Sequence, residues 1–417
     1  MTYRELLKLY KEGQLDEETK KKIAADIERQ DAISEYLYEE GEIPGLEDLE
    51  PEKTDVFSGT DKEQKIENER FIKEIRKAVR RALLKIGIAV GCVILAVILG
   101  AVFIFPKMVS ALFYDPNEVV GENSENTDIK STRMSLDLSV YSELFLAGNR
   151  RDQVNAVDRG YGVYDITIPQ TVSRNGKFTS VSGKLVRGKL TLYDNNVLKV
   201  PGWRFYLPGD EEAWEAWEVN SDGTETKIDG KERKKDSIRA SKEEIEQYSD
   251  TDWYTAYVSL DKLTDYKEFI QWAEAFSKKE NMDLGDLWCA VYTDTYTNVN
   301  TGFVPEPSGS SMNWDREKYP YLSLLDDHDP YKTIDETDEK VMETHYISLL
   351  SYLADHSDIM KMMDVTEDFA DGCQNMITYV KKNGLKIQGF AASVQKETLL
   401  ELYEEDLVDY IDTQPQS

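Results

Sequence analysis

Histidine and cysteine are scarce, with three of each in 417 residues. None precedes Cys92, so the first 91 residues offer no imidazole or thiolate and cannot build a Cys/His zinc site. No GxSxG, HExxH or paired CxxC pattern occurs, which removes those hydrolase, metalloprotease and zinc-ribbon signatures. Positive charge is also short. Lys and Arg number 50 against 80 Asp and Glu, a formal net charge of −30. That balance argues against nucleic-acid binding by phosphate neutralisation and gives the chain a soluble, self-repelling surface.

Charge is missing altogether from one stretch, Ile86 to Phe105, IGIAVGCVILAVILGAVFIF. At about 1.5 Å per residue, roughly 20 residues cross the ~30 Å hydrocarbon layer of a bilayer. Gly87, Gly91 and Gly100 lie inside the run, as suits a membrane helix, and Pro106 is expected to close it. Lys73, Arg76, Lys77, Arg80, Arg81 and Lys85 precede it, opposed by Glu74, whereas Lys107 stands alone after it. The positive-inside rule therefore predicts a cytoplasmic N-terminus and an extracytoplasmic C-terminus. The position of the run, after about 85 residues of acidic chain, is wrong for a cleaved signal peptide. Gly87-x-x-x-Gly91 and Ala96-x-x-x-Gly100 suit packing against a second membrane helix, from another protein or from a second copy of the chain.

The pattern predicts a multidomain membrane protein. A small all-α cytoplasmic head (1–45) is followed by an acidic linker (46–66), a basic juxtamembrane helix (67–85), the membrane helix (86–105) and a linker (106–130). Beyond it come a β-rich region (131–240) and an α+β region (241–417). In the head, Thr2 and Glu5 form a capping box, Gly13 stops a first helix, and Asp16 caps a second that Gly41 ends near Ile43-Pro44. The apolar stripe Tyr3, Leu6, Leu7 and Tyr10, with Ile23, Ile27, Ile33 and Leu37, is more than two short helices can bury, so these residues are the candidate partner-binding surface.

In the β-rich region, SLDLSVYSELFL, YGVYDITIP, KLVRGKLTLYD and VLKVPGWRFYL read as strands. Residues 209–240 read as a charged loop or irregular helix with Trp214 and Trp217 as anchors, and Ser241 with Glu244 as a capping box. Further on, strands are expected at 253–260, 287–296, 385–394 and 407–413. Helices are expected at 265–276, from Thr337 to Met363, from Thr366 to Lys382, and at 396–406. Two strand–helix–strand units around a helical insert predict helices on one face of a sheet.

No residue is assigned a catalytic, cofactor-binding or metal-binding role. Gly183 to Lys189 matches seven positions of a phosphate-binding loop, but Leu190 stands where a hydroxyl is required and the flanks continue a strand. His345 and His356 share a helix face about 16 Å apart, too far for one metal. His328 lies in an acidic turn with no EF-hand spacing. Cys289 and Cys373 lie beyond the membrane run, where a disulfide is chemically allowed and two buried thiols are the alternative.

The head sequence MTYRELLKLYKEGQLDEETKKKIAADIERQDAISEYLYEE resembles the cytoplasmic head of Firmicutes membrane anti-sigma factors. The stretch ERFIKEIRKAVRRALLKIGIAVGCVILAVILG is similar to the sigma-factor-regulator N-terminal segment, and YVKKNGLKIQGFAASVQKETLLELYEEDLVDYIDT to the C-terminal domain of the same family. The resemblance implies a head that binds an extracytoplasmic-function sigma factor, with outer domains that sense an envelope condition; many such heads carry a zinc-binding His/Cys cluster, and the lack of His and Cys before Cys92 rules that version out here. A membrane-anchored envelope sensor or scaffold with another cytoplasmic partner, or an anchored extracytoplasmic enzyme, are the alternatives.

Overall fold

The computed structural model describes residues 8–40, 61–120, 131–148, 150–151, 153–171, 178–193, 198–279, 282–295, 299–307, 312–325, 334–365 and 369–416. The chain forms two compact units, Met1–Val102 and Phe103–Ser417.

In the first unit, residues 8–11 are helical and Gly13, at φ +72°, ends that turn. Helix α1 spans Glu17–Glu40. Asp16 caps it by accepting from the Thr19 amide at 2.9 Å and the Thr19 hydroxyl at 2.7 Å, and these bonds hold its carboxyl below the usual range. Helix α2 spans Asp61–Leu99, so the juxtamembrane helix begins six residues before Glu67. The Thr2–Glu5 box, Gly41 and Ile43-Pro44 lie outside the described residues.

Among the described residues one span, Ile75–Ser110, is long and apolar enough to cross a membrane by length and composition. Pro106 does not close it. A π-turn at Gly100–Ile104 is followed by helix α3, Phe105–Ser110, with the proline in its first turn. A first-turn residue needs no amide partner, so Pro106 fits without breaking the helix.

In the second unit, part of the expected 106–130 linker is ordered packing: besides α3, strand β1 (Val119–Val120) pairs with β2 (Ser131–Thr132). SLDLSVYSELFL is not a strand but most of helix α4, Arg133–Phe145. Its period-2 look came from Met134, Leu136, Leu138 and Val140 alternating with Ser135 and Asp137. Both polar residues are buried too, so the helix is covered on nearly every side. Strands β3 (Arg150–Arg151), β4 (Asn155–Gly160), β5 (Val163–Thr171), β6 (Phe178–Val186) and β7 (Lys189–Leu192) form an antiparallel sheet, in which β3 and β4 share one edge of β5.

VLKVPGWRFYL is no strand either, over its described residues. Its amides donate to side chains instead: Arg204 N to Asn300 Oδ1 at 3.0 Å and Tyr206 N to Ser259 Oγ at 3.0 Å. A segment lying across a sheet face, with Pro201 lacking a donor, cannot join a ladder. The expected loop at 209–240 holds a 3₁₀ turn (Glu212–Trp214), the hairpin β8 (Ala216–Val219) and β9 (Glu225–Ile228), and helix α5, Gly230–Ile245. Trp214 is buried and anchors the turn, whereas Trp217 is exposed. The cap of α5 is Asp229, which accepts from the Lys231 and Glu232 amides. Ser241 lies inside the helix, so the Ser241/Glu244 box is not a helix start. The run of charges over 231–236 hid the true one.

The main sheet follows the expected order closely. Strand β10 (Tyr254–Asp265), helix α6 (Tyr266–Lys279) and strand β11 (Gly285–Tyr292) make one strand–helix–strand unit. Strand β13 (Lys386–Val394), helix α10 (Lys396–Leu402) and strand β14 (Val408–Pro415) make the other. The insert carries strand β12 (Gly302–Phe303) and helices α7 (Glu339–Asp355), α8 (Ser357–Met362) and α9 (Phe369–Asn383). The helix expected to run from Thr337 to Met363 thus breaks at His356, whose φ and ψ of −114° and 48° are not helical. Gly384, at φ +74°, follows the end of α9.

The sheet order is β12-β11-β13-β10-β14, antiparallel at every pairing. Each helix crosses over a central strand of the other unit, giving the interlocked split β-α-β arrangement of ferredoxin-like folds. Phe269 and Trp272 of α6 pack on Phe390 of β13, with ring centroids 5.5 and 5.6 Å apart, and Trp272 Nε1 donates to Glu405 just after α10. On the opposite face Phe205 lies over Tyr257, Trp288, Ala290 and Ala391. The main buried cluster takes residues from both sides of position 240, from Tyr114 to Ile411.

Candidate functional site

The head stripe is only partly in view. Ile23, Ile27, Ile33 and Leu37 all lie on α1, and 100° per residue puts them within an arc of about 120°. Ile23 is buried by the chain itself, at 4% exposure, whereas Ile27 and Tyr10 are half-buried. Tyr3, Leu6 and Leu7 lie outside the described residues. On α2 the basic residues Lys73, Arg76, Lys77, Arg80, Arg81 and Lys85 are exposed, as are the apolar side chains from Ile86 to Leu99. A Cβ on Gly87 or Gly91 would meet nothing within 4 Å, so that face is open.

Within the second unit, α3 is tied to the turn between β4 and β5. The Tyr161 amide donates to Pro106 O at 3.3 Å and the Gly162 amide to Ser110 Oγ at 2.8 Å. Four residues beyond α3, Tyr114 donates to Asp137 Oδ2 at 2.6 Å, and Tyr352 of α7 donates to Oδ1 at 2.7 Å. Arg133 stands 3.8 Å from the same carboxylate, over the Tyr114 ring, and also reaches Glu118 and Asp358. Burial raises the Asp137 carboxyl above its ordinary range despite these hydrogen bonds, and pushes both tyrosines up. Sequence reasoning missed this cluster because Asp137 sat inside a misread strand.

Gly183 to Lys189 forms the β6–β7 hairpin, with Arg187 and Gly188 at φ +52° and +82° in its two-residue turn, not a phosphate cradle. His345 is buried, with Nδ1 2.6 Å from Tyr321 O and Nε2 2.9 Å from Glu143 Oε1. His356 stacks on Tyr352 with centroids 4.0 Å apart. His328 lies outside the described residues. Cys289 of β11 and Cys373 of α9 are separate buried thiols, so the disulfide left open by the sequence is not formed. Burial pushes the Cys289 thiol up, and the Cys373 thiol up to about 12.

At the bulged end of the main sheet lies a cavity of about 600 Å³. Gln388 is the extra residue of a bulge, between the pairs Val291↔Ile387 and Ala290↔Gly389. Its Nε2 donates to Val291 O at 3.5 Å, and its buried Oε1 has no partner among the described residues. Asn300 Oδ1 accepts the Arg204 amide, which turns the buried Nδ2 away, also without a partner among them. Both side chains line the cavity with Trp203, Tyr206, Asp210 and Asp294, and no described lining residue is Lys or Arg. Trp203 is 47% exposed, and Tyr206 is held by stacking on Trp214 at 3.8 Å.

No curated protein and no solved structure matches the chain. Residues 245–412 match the sigma factor regulator C-terminal family. The match begins at the last residue of α5 and ends within β14, so it takes in both split β-α-β units and their insert.

Proposed function

We propose that the protein is a single-pass membrane anti-sigma factor whose cytoplasmic head sequesters an extracytoplasmic-function sigma factor. The match of residues 245–412 to a sigma factor regulator domain carries the reading. The apolar span Ile75–Ser110 and the exposed basic collar before Ile86 support one membrane crossing with the N-terminus inside. The protein acts by binding, not by catalysis. The half-buried Tyr10 and Ile27, with the rest of the stripe, contact the sigma factor, while Ile23 already packs inside the head. The outer unit governs release.

The test is co-purification of the full-length chain with candidate sigma factors. Tyr10→Ala and Ile27→Ala should each weaken the complex about 30-fold, the usual cost of truncating a central contact, with membrane abundance unchanged. Glu17→Ala, on the exposed rim, should change little. A reporter fused after Tyr114 should be active only outside the cytoplasm. Recovery of no sigma factor, or unchanged binding by both alanine variants, would overturn the proposal.

A further inference from the structure

The open edge of β7 lies outside the sigma-factor reading and does not depend on it. We propose that β7 takes up an extended segment of a partner protein as an added strand, in which apolar residues alternate with acidic ones. Among the described residues β7 pairs with β6 alone and ends its sheet. Val186 stands opposite Lys189 across the two-residue turn and Lys184 opposite Thr191, and the Tyr193 amide donates to Ser182 O at 2.9 Å. Bonded and non-bonded pairs alternate along an antiparallel ladder, so Lys189, Thr191 and Tyr193 bond to β6, while Leu190 and Leu192 turn their N–H and C=O groups away from it. No described residue answers those four groups. The main sheet, by contrast, closes an edge with side chains. On β14 the Ile411 amide donates to Tyr403 Oη at 3.2 Å, and its carbonyl accepts from Ser241 Oγ at 2.9 Å.

The edge defines its ligand. Open edges are ordinarily blunted by proline, a bulge or an inward-pointing charge. Strand β7 has none of these, and Leu190 and Leu192 share a face with the buried Leu185 and Gly183. The outward groups repeat every two residues, about 6.8 Å, which is the spacing of another extended main chain. A cavity of about 430 Å³ adjoins β7 and is lined by Leu190, Leu192, Leu198, Met362 and Met363. An added strand sends alternate side chains to that face, and methionines adapt to apolar groups of differing shape. Lys199 and Asp364 line the same cavity and offset each other, so the inward positions suit uncharged side chains. On the other face stand Lys189 and, in the turn, Arg187, both exposed and with no ion-pair partner among the described residues. Acidic side chains at the alternate positions complement them.

The experiment uses the full chain in lipid nanodiscs and three short, end-blocked, fluorescent peptides, read by anisotropy. They alternate valine with glutamate, leucine with glutamate, and valine with lysine. At least one glutamate peptide should bind saturably, about threefold more tightly than the lysine peptide. N-methylating its apolar residues strips the donors from one edge of that peptide, and N-methylating its glutamates strips the other edge. One form should lose about tenfold in affinity and the other about twofold or less. Leu192→Pro places a ring where the outward donor stood, leaves the ladder to β6 intact, and should weaken binding about tenfold. Lys189→Glu should reverse the order of the glutamate and lysine peptides. The thermal transition of each variant checks the fold. The proposal is overturned if neither glutamate peptide binds, if the two N-methylated forms bind alike, if folded Leu192→Pro binds as tightly as the unchanged chain, or if Lys189→Glu leaves the peptide order as it was. Self-association of the chain that Leu192→Pro abolishes would assign the edge to a second copy and overturn it as well.

Discussion

Gly389 is a position where one methyl group has no room. A Cβ there would stand 2.5 Å from Phe205 Cδ1, 2.6 Å from Val258 O and 3.0 Å from Phe205 Cε1. The Phe205 ring has little room to retreat. It is 1% exposed and lies against Trp288 and Tyr257, with centroids 6.2 and 5.9 Å away. Val258 O belongs to β10, a central strand paired on both edges. Gly389→Ala should therefore cost about 1–3 kcal/mol by overpacking. Phe205→Ala should cost about 3–5 kcal/mol by leaving a cavity. Removing the ring relieves both Phe205 contacts and leaves the one with Val258 O, so the double variant should be more stable than the sum predicts, by about 1 kcal/mol. The assay is urea unfolding of the detergent-solubilised chain followed by tryptophan fluorescence. All seven tryptophans, Trp203 to Trp314, lie in the second unit, so the signal reports on that unit alone. Stability of Gly389→Ala within about 0.5 kcal/mol of the unchanged chain would refute the reasoning, as would strict additivity of the two substitutions.

Asp137 predicts a pH dependence. Its carboxyl is raised by burial among Tyr114, Tyr352, Arg133 and His356, so the folded state holds the proton more tightly than the unfolded state, where the value is about 3.9. The stability it contributes is complete below that value and is lost as pH rises through the raised folded-state value. Asp137→Asn should remove this limb, and parallel stability curves for the two proteins would count against it. The two buried thiols predict inertness. At pH 8 a membrane-impermeant maleimide should leave Cys289 and Cys373 unlabelled until urea is added, and reductant should not alter mobility on a gel, whereas rapid native labelling of either would contradict their burial.

Several features were legible without a structure because their causes are local. The span around Ile86–Phe105 follows from the absence of charge over a bilayer's length, the Asp16 cap from a side chain three residues before the amide it accepts, and the stop at Gly13 from a positive φ. The two strand–helix–strand units were readable because their strands are short stretches rich in β-branched and aromatic residues and α6 has a clear stripe.

Tertiary structure decided the rest. A helix buried on nearly every side has lost the one-sided periodicity that sequence reading depends on, so α4 passed for a strand and the cluster around its buried Asp137 was not foreseen. The segment around Phe205 has strand-like residues but lies across a sheet instead of along its edge. The choice depends on Gly389 and on partners 53 and 96 residues away, Ser259 and Asn300. The amide cavity has the same character. Gln388 and Asn300 are ordinary polar residues in sequence, and only a bulge, a crossing segment and the closing of the sheet bring both to the lining of one cavity. Propensity and spacing act within a few residues, whereas which buried polar atoms meet is set by contacts between parts of the chain that the sequence keeps far apart.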